Sequence, residues 1–187
     1  TFVFMEGLVR PVVLVGYMAA GKSITARQLA KSWSIPSLDL DQVIEQTTHL
    51  SPAEWLRTKG EVAFRKTEAA VLRELNWTEP FVLASGGGTP CYAGNMDFMR
   101  QQALVVYLQW PVSVLVDRLR LLRDSRPLLD GVADDHLPAY VGAHLLERNY
   151  YYAQAPVRVH LDPHESELAS VERVRSACEA AMKSVPE

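Results

Sequence analysis

Hydrophobic positions in this chain follow two alternating rhythms. Short runs rich in Val, Leu and Ile recur at Pro11–Val15, Ile35–Asp41, Pro80–Ala84, Leu104–Leu108 and Val157–Leu161. They read as strands, most of them buried on both faces. Between them, apolar residues return at helical spacing, as with Leu29, Ala30 and Trp33 in the stretch Ser23–Trp33. Further helices are expected at Gln42–Thr47, Glu61–Leu75, Asn95–Gln102, Pro111–Arg123, Leu137–Tyr152 and Glu165–Lys183. In the last of these, Leu168, Val171, Val174, Cys178 and Ala181 are expected to face inward. Ser51 with Pro52 opens one more helix as cap and first residue, and Gly60 breaks it. The stretch 124–138 mixes prolines, a glycine and acids and is expected to form a mobile lid.

Strand–helix alternation repeated five times predicts an α/β three-layer sandwich with a five-stranded parallel sheet. One domain is expected over residues 1–187, with its core at about 10–185. Ligands of such sheets bind beyond the carboxyl ends of the strands. Gly16, Asp39, Asp41 and Gly86 all follow strand patterns, so they are expected to converge there. Asp39 and Asp41 alternate with leucines, which in a strand puts both on one side.

The stretch Gly16-Tyr-Met-Ala-Ala-Gly-Lys22-Ser23 fits G-x-x-x-x-G-K-[ST], between a strand and a helix as that motif requires. Backbone N–H groups of such a loop surround a phosphate, and the helix N-terminus adds partial positive charge. Lys22 is expected to reach the β- and γ-phosphates and Ser23 to ligate Mg²⁺. The alternative is a glycine turn with a surface lysine, which the flanking strand and helix disfavour.

A net charge of −3 gives no bulk attraction to nucleic acid or acidic membranes. No apolar run is long enough to span a bilayer. Cys91 and Cys178 have no metal spacing, and a chain of this size with two distant cysteines fits a reducing cytoplasm. No N-K-x-D motif accompanies the phosphate loop, which argues against a GTPase and leaves a small-molecule kinase.

Beyond the loop, Asp39-Leu-Asp41, Gly60-Glu-Val-Ala-Phe-Arg65-Lys-Thr-Glu68, Gly86-Gly-Gly88, Arg126-Pro-Leu-Leu129 and Glu147-Arg148 to Tyr152 stand in fixed order. Together these stretches, from Val12 to about Leu161, resemble the shikimate kinase family. The resemblance implies a P-loop fold and ATP-dependent phosphorylation of the shikimate 3-hydroxyl, giving shikimate 3-phosphate and ADP in aromatic amino acid biosynthesis. It implies a substrate-binding segment at about 40–68 and a lid at about 124–138. Arg65 and Arg148 match two carboxylate-binding arginines, and the planar guanidinium fork suits that role. Asp41 matches the acid that holds the ring hydroxyls, and Gly86, Gly87 and Gly88 match a loop whose backbone approaches the ring. Lys22, Asp41 and Arg126 are the implied catalytic residues.

ATP would be held by Gly16, Met18, Ala19, Ala20, Gly21, Lys22, Ser23 and Ile24, with Arg126 from the lid, Arg120 against adenine and Pro163 walling its other side. The implied metal is one Mg²⁺ per ATP, bound by Ser23 and, through water, by Asp39. Shikimate and ATP are the implied partners of a cytoplasmic monomer that binds neither nucleic acid nor membrane. Glu61, Arg65 and Glu68 share a helix face, so Glu68 is expected to hold Arg65 in place.

Some positions depart from the family pattern. Ala19 stands where glycine is usual, Ile24 where threonine often follows, and Leu56 where an aromatic often packs on the substrate. Tyr150 and Tyr151 replace a Pro-Leu pair. The spacing from Arg120 to Arg126 is one residue short, leaving Arg118 and Arg123 as alternatives. The histidines at 49, 136, 144, 160 and 164 match no catalytic position. A gluconate kinase or a P-loop binding module without turnover are the rival readings. The Asp41–Arg65 pair and the glycine triplet stand against the first, and the intact Lys22, Ser23, Asp39, Asp41 and Arg126 against the second.

Overall fold

The computed structural model describes residues 10–122 and 131–183. Its strands are β1 (Val12–Val15), β2 (Ser37–Asp39), β3 (Val82–Ala84), β4 (Leu104–Gln109) and β5 (Val157–His160). They form one sheet in the order β2-β3-β1-β4-β5, and every neighbouring pair is parallel. The helices are α1 (Lys22–Trp33), α2 (Leu40–Thr48), α3 (Pro52–Lys59), α4 (Glu61–Glu74), α5 (Asn95–Gln102), α6 (Val112–Leu121), α7 (Leu137–Tyr152) and α8 (Glu167–Lys183).

β1 lies at the centre with all four residues fully buried, which accounts for its unbroken apolar sequence. Its register pairs Leu14 with Ala84 on one side and Val106 on the other. The exits of β1 and β3 are therefore level. Ser85 fastens them, donating from both N and Oγ to the Leu14 carbonyl at 3.1 and 3.0 Å. Whatever follows β1 and β3 must share one edge of the sheet.

Local signals set most helix ends. Ser51 and Glu54 form a reciprocal capping box ahead of Pro52, and Gly60 closes α3 at φ 79°. β2 is shorter than its alternation predicts. The strand stops at Asp39, whose carboxylate caps α2 by accepting the Asp41 N–H at 3.1 Å. Asp41 is thus a first-turn helix residue, and period-two geometry does not relate it to Asp39.

Leu168 corrects a second expectation. It is 73% exposed, whereas Val171, Val174 and Cys178 are buried. At 3.6 residues per turn, Leu168 lies about 120° around α8 from Val174, off the inward stripe. Within the 124–138 stretch, residues 124–130 lie outside the described residues, and α7 already begins at Leu137. No described helix is long and apolar enough to cross a membrane.

Candidate active site

The phosphate loop leaves β1 at Gly16, where φ is 148° and a Cβ would lie 2.9 Å from the Leu108 carbonyl oxygen. The loop needs glycine there on both counts. Ala19 adopts φ 61°, a left-handed conformation that an L-residue enters at a cost.

Side-chain donors hold the loop's carbonyls. Lys22 Nζ donates to the Gly16 and Tyr17 oxygens, each at 2.9 Å. Arg118 donates to the Ala19 oxygen at 3.2 Å and the Trp110 indole to the Ala20 oxygen at 3.0 Å. The Arg118 guanidinium lies over the Trp110 ring, 4.0 Å from its centroid. Burial pulls the Arg118 pKa down, with Glu167 opposing. Sequence reasoning missed Trp110. Its place directly after β4, on the ligand edge of the sheet, was the available signal.

A cavity of about 580 Å³ opens over this loop. Met18 through Ile24, Asp39, Asp41, Gly86, Gly87, Arg118 and Pro163 line it. Arg120 does not. It is exposed on α6 and pairs with Asp117 at 3.1 Å. Arg118, two residues earlier on the same helix, lines the cavity instead. Arg123 and Arg126 lie outside the described residues.

Ser23 Oγ donates to Asp39 Oδ2 at 2.5 Å inside this cavity. A hydroxyl and a carboxylate this close, beside a phosphate loop, are hard oxygen ligands that fit Mg²⁺. Among the described residues no three His, Cys, Asp or Glu cluster as a metal cage. Mg²⁺ needs none, because it keeps waters and takes phosphate oxygens.

A second cavity of about 270 Å³ adjoins the first. Arg65, Glu68, Arg148, the three glycines, Leu56 and Phe64 contribute to its wall. Met18, Asp41, Gly86 and Gly87 line both cavities, so Asp41 sits at the junction.

Arg65 is only 6% exposed and Glu68 is fully buried. Arg65 Nη1 donates to Glu68 at 3.0 Å, and Nε and Nη2 donate to Glu61 at 3.3 Å. Burial disfavours the Arg65 charge, but Glu68 and Glu61 outweigh it and the net pKa is raised. The second Glu68 oxygen accepts from the Thr89 hydroxyl at 2.7 Å. One carboxylate thereby ties Arg65 to the segment that follows the glycine loop.

The glycines do more than admit a ligand. A Cβ on Gly88 would stand 2.3 Å from Arg65 Nη2, and one on Gly86 would meet Thr89 Oγ1 and Glu68 Oε1 at 2.8 and 2.9 Å. At Gly86 and Gly88 the Arg65–Glu68–Thr89 network occupies the space a side chain would need. Gly87 would meet Arg148 at 3.4 Å and the Met18 N at 3.3 Å, so it packs between the second arginine and the phosphate loop.

Arg148 reaches the cavity from α7, with its guanidinium 5.9 Å from the Tyr17 ring centroid. Tyr17 Oη and His144 Nδ1 are hydrogen-bonded at 2.9 Å. Burial, with the Arg148 charge added, pushes the His144 pKa down. Cys91 and Cys178 are both free thiols. Burial holds Cys178 up at about 12, as expected of a core residue.

A family model described as shikimate kinase matches residues 18–179. The chain belongs to the shikimate kinase family. A shikimate kinase of Flavobacterium psychrophilum is 41% identical over 155 residues, covering 82% of this chain and 90% of that protein. The crystal structure of a shikimate kinase from Bacteroides thetaiotaomicron superposes with a TM-score of 0.83 at 34% identity, over 90% of this chain and 98% of the other. Shikimate kinase from Acinetobacter baumannii, solved in complex with shikimate, gives a TM-score of 0.82 at 28% identity, covering 96% of each chain. The parallel sheet, with helices on its faces and a phosphate loop after the central strand, is thus the architecture of the shikimate kinases.

Proposed function

We propose that this protein transfers the γ-phosphoryl group of ATP to the 3-hydroxyl of shikimate, giving shikimate 3-phosphate and ADP. The observation that carries the reading is the pair of adjoining cavities. One is floored by a phosphate loop and the other holds two arginines, with an acid where they meet. ATP extends across the larger cavity with its phosphates on the loop N–H groups of Met18 through Ser23. Arg118 and Pro163 bracket the base, in place of the Arg120 contact that the family resemblance implies. Shikimate fills the smaller cavity with its carboxylate on Arg65 and Arg148, whose forks match it.

That orientation brings the ring hydroxyls to Asp41 at the junction. Asp41 accepts a hydrogen bond from the attacking hydroxyl and aims it in line with the γ-phosphorus. Lys22 places its charge on the β- and γ-oxygens, where negative charge builds in the transition state. Mg²⁺ held by Ser23 and, through water, Asp39 would neutralise phosphate charge. Arg126 is assigned to the transferring phosphate on sequence resemblance alone. The same reading carries a monomeric, cytoplasmic enzyme acting on small molecules, checked by sedimentation and cell fractionation.

Coupled assay of ADP release by the purified protein, offering shikimate, gluconate and nucleosides in turn, tests the reading. Shikimate-dependent turnover is expected, with the others near background. Faster turnover with gluconate or a nucleoside would overturn it.

A further inference from the structure

α7 carries a second polar group aimed at the smaller cavity's wall. Arg148 and Tyr152 are four residues apart and share a helix face. Tyr152 is fully buried, and its hydroxyl donates to the Gly87 carbonyl at 2.5 Å. The Arg148 charge acts on the same hydroxyl, and a Cβ on Gly87 would stand 3.4 Å from Arg148 Nη1. A phenol offers one donor and an acceptor; Gly87 takes the first, which leaves the second for the neighbouring guanidinium. The ring packs at 5.2 Å from that of Tyr107, whose own hydroxyl donates to Asn149 at 3.2 Å. The Tyr152 ring has no freedom to turn away.

Two consequences follow from that geometry. Holding the Gly87 carbonyl fixes the plane of the Gly87–Gly88 peptide, and in a trans peptide the Gly88 N–H points opposite to that carbonyl. Arg148 lines the cavity directly beside that peptide, its Nη1 3.4 Å from where a Gly87 Cβ would stand. One hydroxyl therefore sets the spacing between the carboxylate-binding fork and the backbone of the glycine loop. Burial raises the Tyr152 pKa well beyond the ordinary phenol value, so the hydroxyl keeps its proton at any working pH.

We propose that Tyr152 is a positioning residue for shikimate, locking Arg148 and the Gly87–Gly88 peptide into one rigid carboxylate-and-ring cradle without touching ATP. This rests on the reading of the smaller cavity as the shikimate site. Tyr152→Phe deletes only the hydroxyl. KM for shikimate is expected to rise about tenfold, the loss that goes with an unsatisfied buried hydrogen-bond partner. The value of kcat and KM for ATP are expected to stay within about threefold. Tyr107→Phe, which loses a β4 hydroxyl that donates to α7 but neither of these contacts, is expected to leave KM for shikimate unchanged.

A merely structural tyrosine would lower the melting temperature and kcat while leaving KM alone, and that result overturns the proposal. The decisive form is a double-mutant cycle with Arg148→Lys. Tyr152→Phe is expected to cost less than threefold once the fork is gone, whereas additive effects would overturn the proposal. If the phenylalanine variant does not fold, 3-fluorotyrosine at 152 replaces it, since the fluorine weakens the hydroxyl as an acceptor for Arg148. A rise in KM for shikimate of twofold or more supports the proposal, and no rise overturns it. Wild-type protein inactive on shikimate would instead refute the functional reading itself.

Discussion

On the proposed reading, the phosphate loop and the arginine cavity bind their anions in opposite ways. The loop is one contiguous segment that uses backbone N–H groups, and it tolerates left-handed conformations at Gly16, Ala19 and Gly21 to do so. Its carbonyls are held back by Lys22, Trp110 and Arg118. The arginine cavity draws on α2, α3, α4, the glycine loop and α7. Its glycines have no positive φ; Gly86 and Gly88 are required because Arg65, Glu68 and Thr89 leave no room for a Cβ. A backbone site stores its specificity in conformation, and a side-chain site stores it in buried ion pairs. The two are therefore vulnerable to different mutations.

The largest expected effect tests the side-chain half. Glu68→Ala leaves the buried Arg65 charge with only the half-exposed Glu61, and breaking such a buried pair costs about 3–5 kcal/mol. Chemical denaturation should show that loss in the midpoint. A stability within about 0.5 kcal/mol of wild type would mean that Arg65 relaxes to solvent.

Lys22→Met tests the backbone half. On the proposed reading it removes a charge aimed at the transition state, worth about 3–4 kcal/mol by analogy with loss of a single preorganised donor. Turnover is expected to fall by roughly 10²–10³ while shikimate binding is kept. Turnover within a few-fold of wild type would show that the loop does not act in catalysis.

Ala19→Gly should act in the other direction. Relief of the left-handed conformation gains about 1–2 kcal/mol, against about 0.4–1 for the freer unfolded chain. A net stabilisation of about 0.5–1 kcal/mol is expected in thermal unfolding. A loss would show that the Ala19 methyl packs better than its backbone strains.

The smallest effect is pH-dependent. His144 has a folded pKa below its ordinary value of 6.5, from burial and the Arg148 charge. The unfolded chain then takes up the proton first as pH falls. The stability tied to neutral His144 is fully present above about 6.5 and is lost as pH drops through the folded value. His144→Gln should flatten the melting temperature in that window. An unchanged slope would assign the pH dependence elsewhere.

The same contrast governs what the sequence discloses. The loop is legible because its eight residues are adjacent, its glycines are forced by geometry, and a strand and a helix flank it. Strand cores and the capping box at Ser51 are legible for the same reason, since each depends on neighbours in the chain. Asp39 and Asp41 were placed on the right edge by the wrong geometry, because helix capping by Asp39 overrides strand alternation. Arg118, Trp110 and Tyr152 depend on partners far along the chain, separated by as much as Arg118 is from Ala19. Nothing local distinguishes Arg118 from Arg120, and only the direction in which α6 packs decides between them.

The central claim is that two cavities sort two substrates, and separate titrations of Arg148→Ala with shikimate and with ATP test it most directly. Losing a charge-assisted contact to a carboxylate costs about 2–3 kcal/mol, or roughly 30–150-fold in affinity. Shikimate affinity is expected to fall by that factor while ATP affinity stays within about twofold. Normal shikimate binding with weakened ATP binding would contradict the account, because it would reverse the two sites.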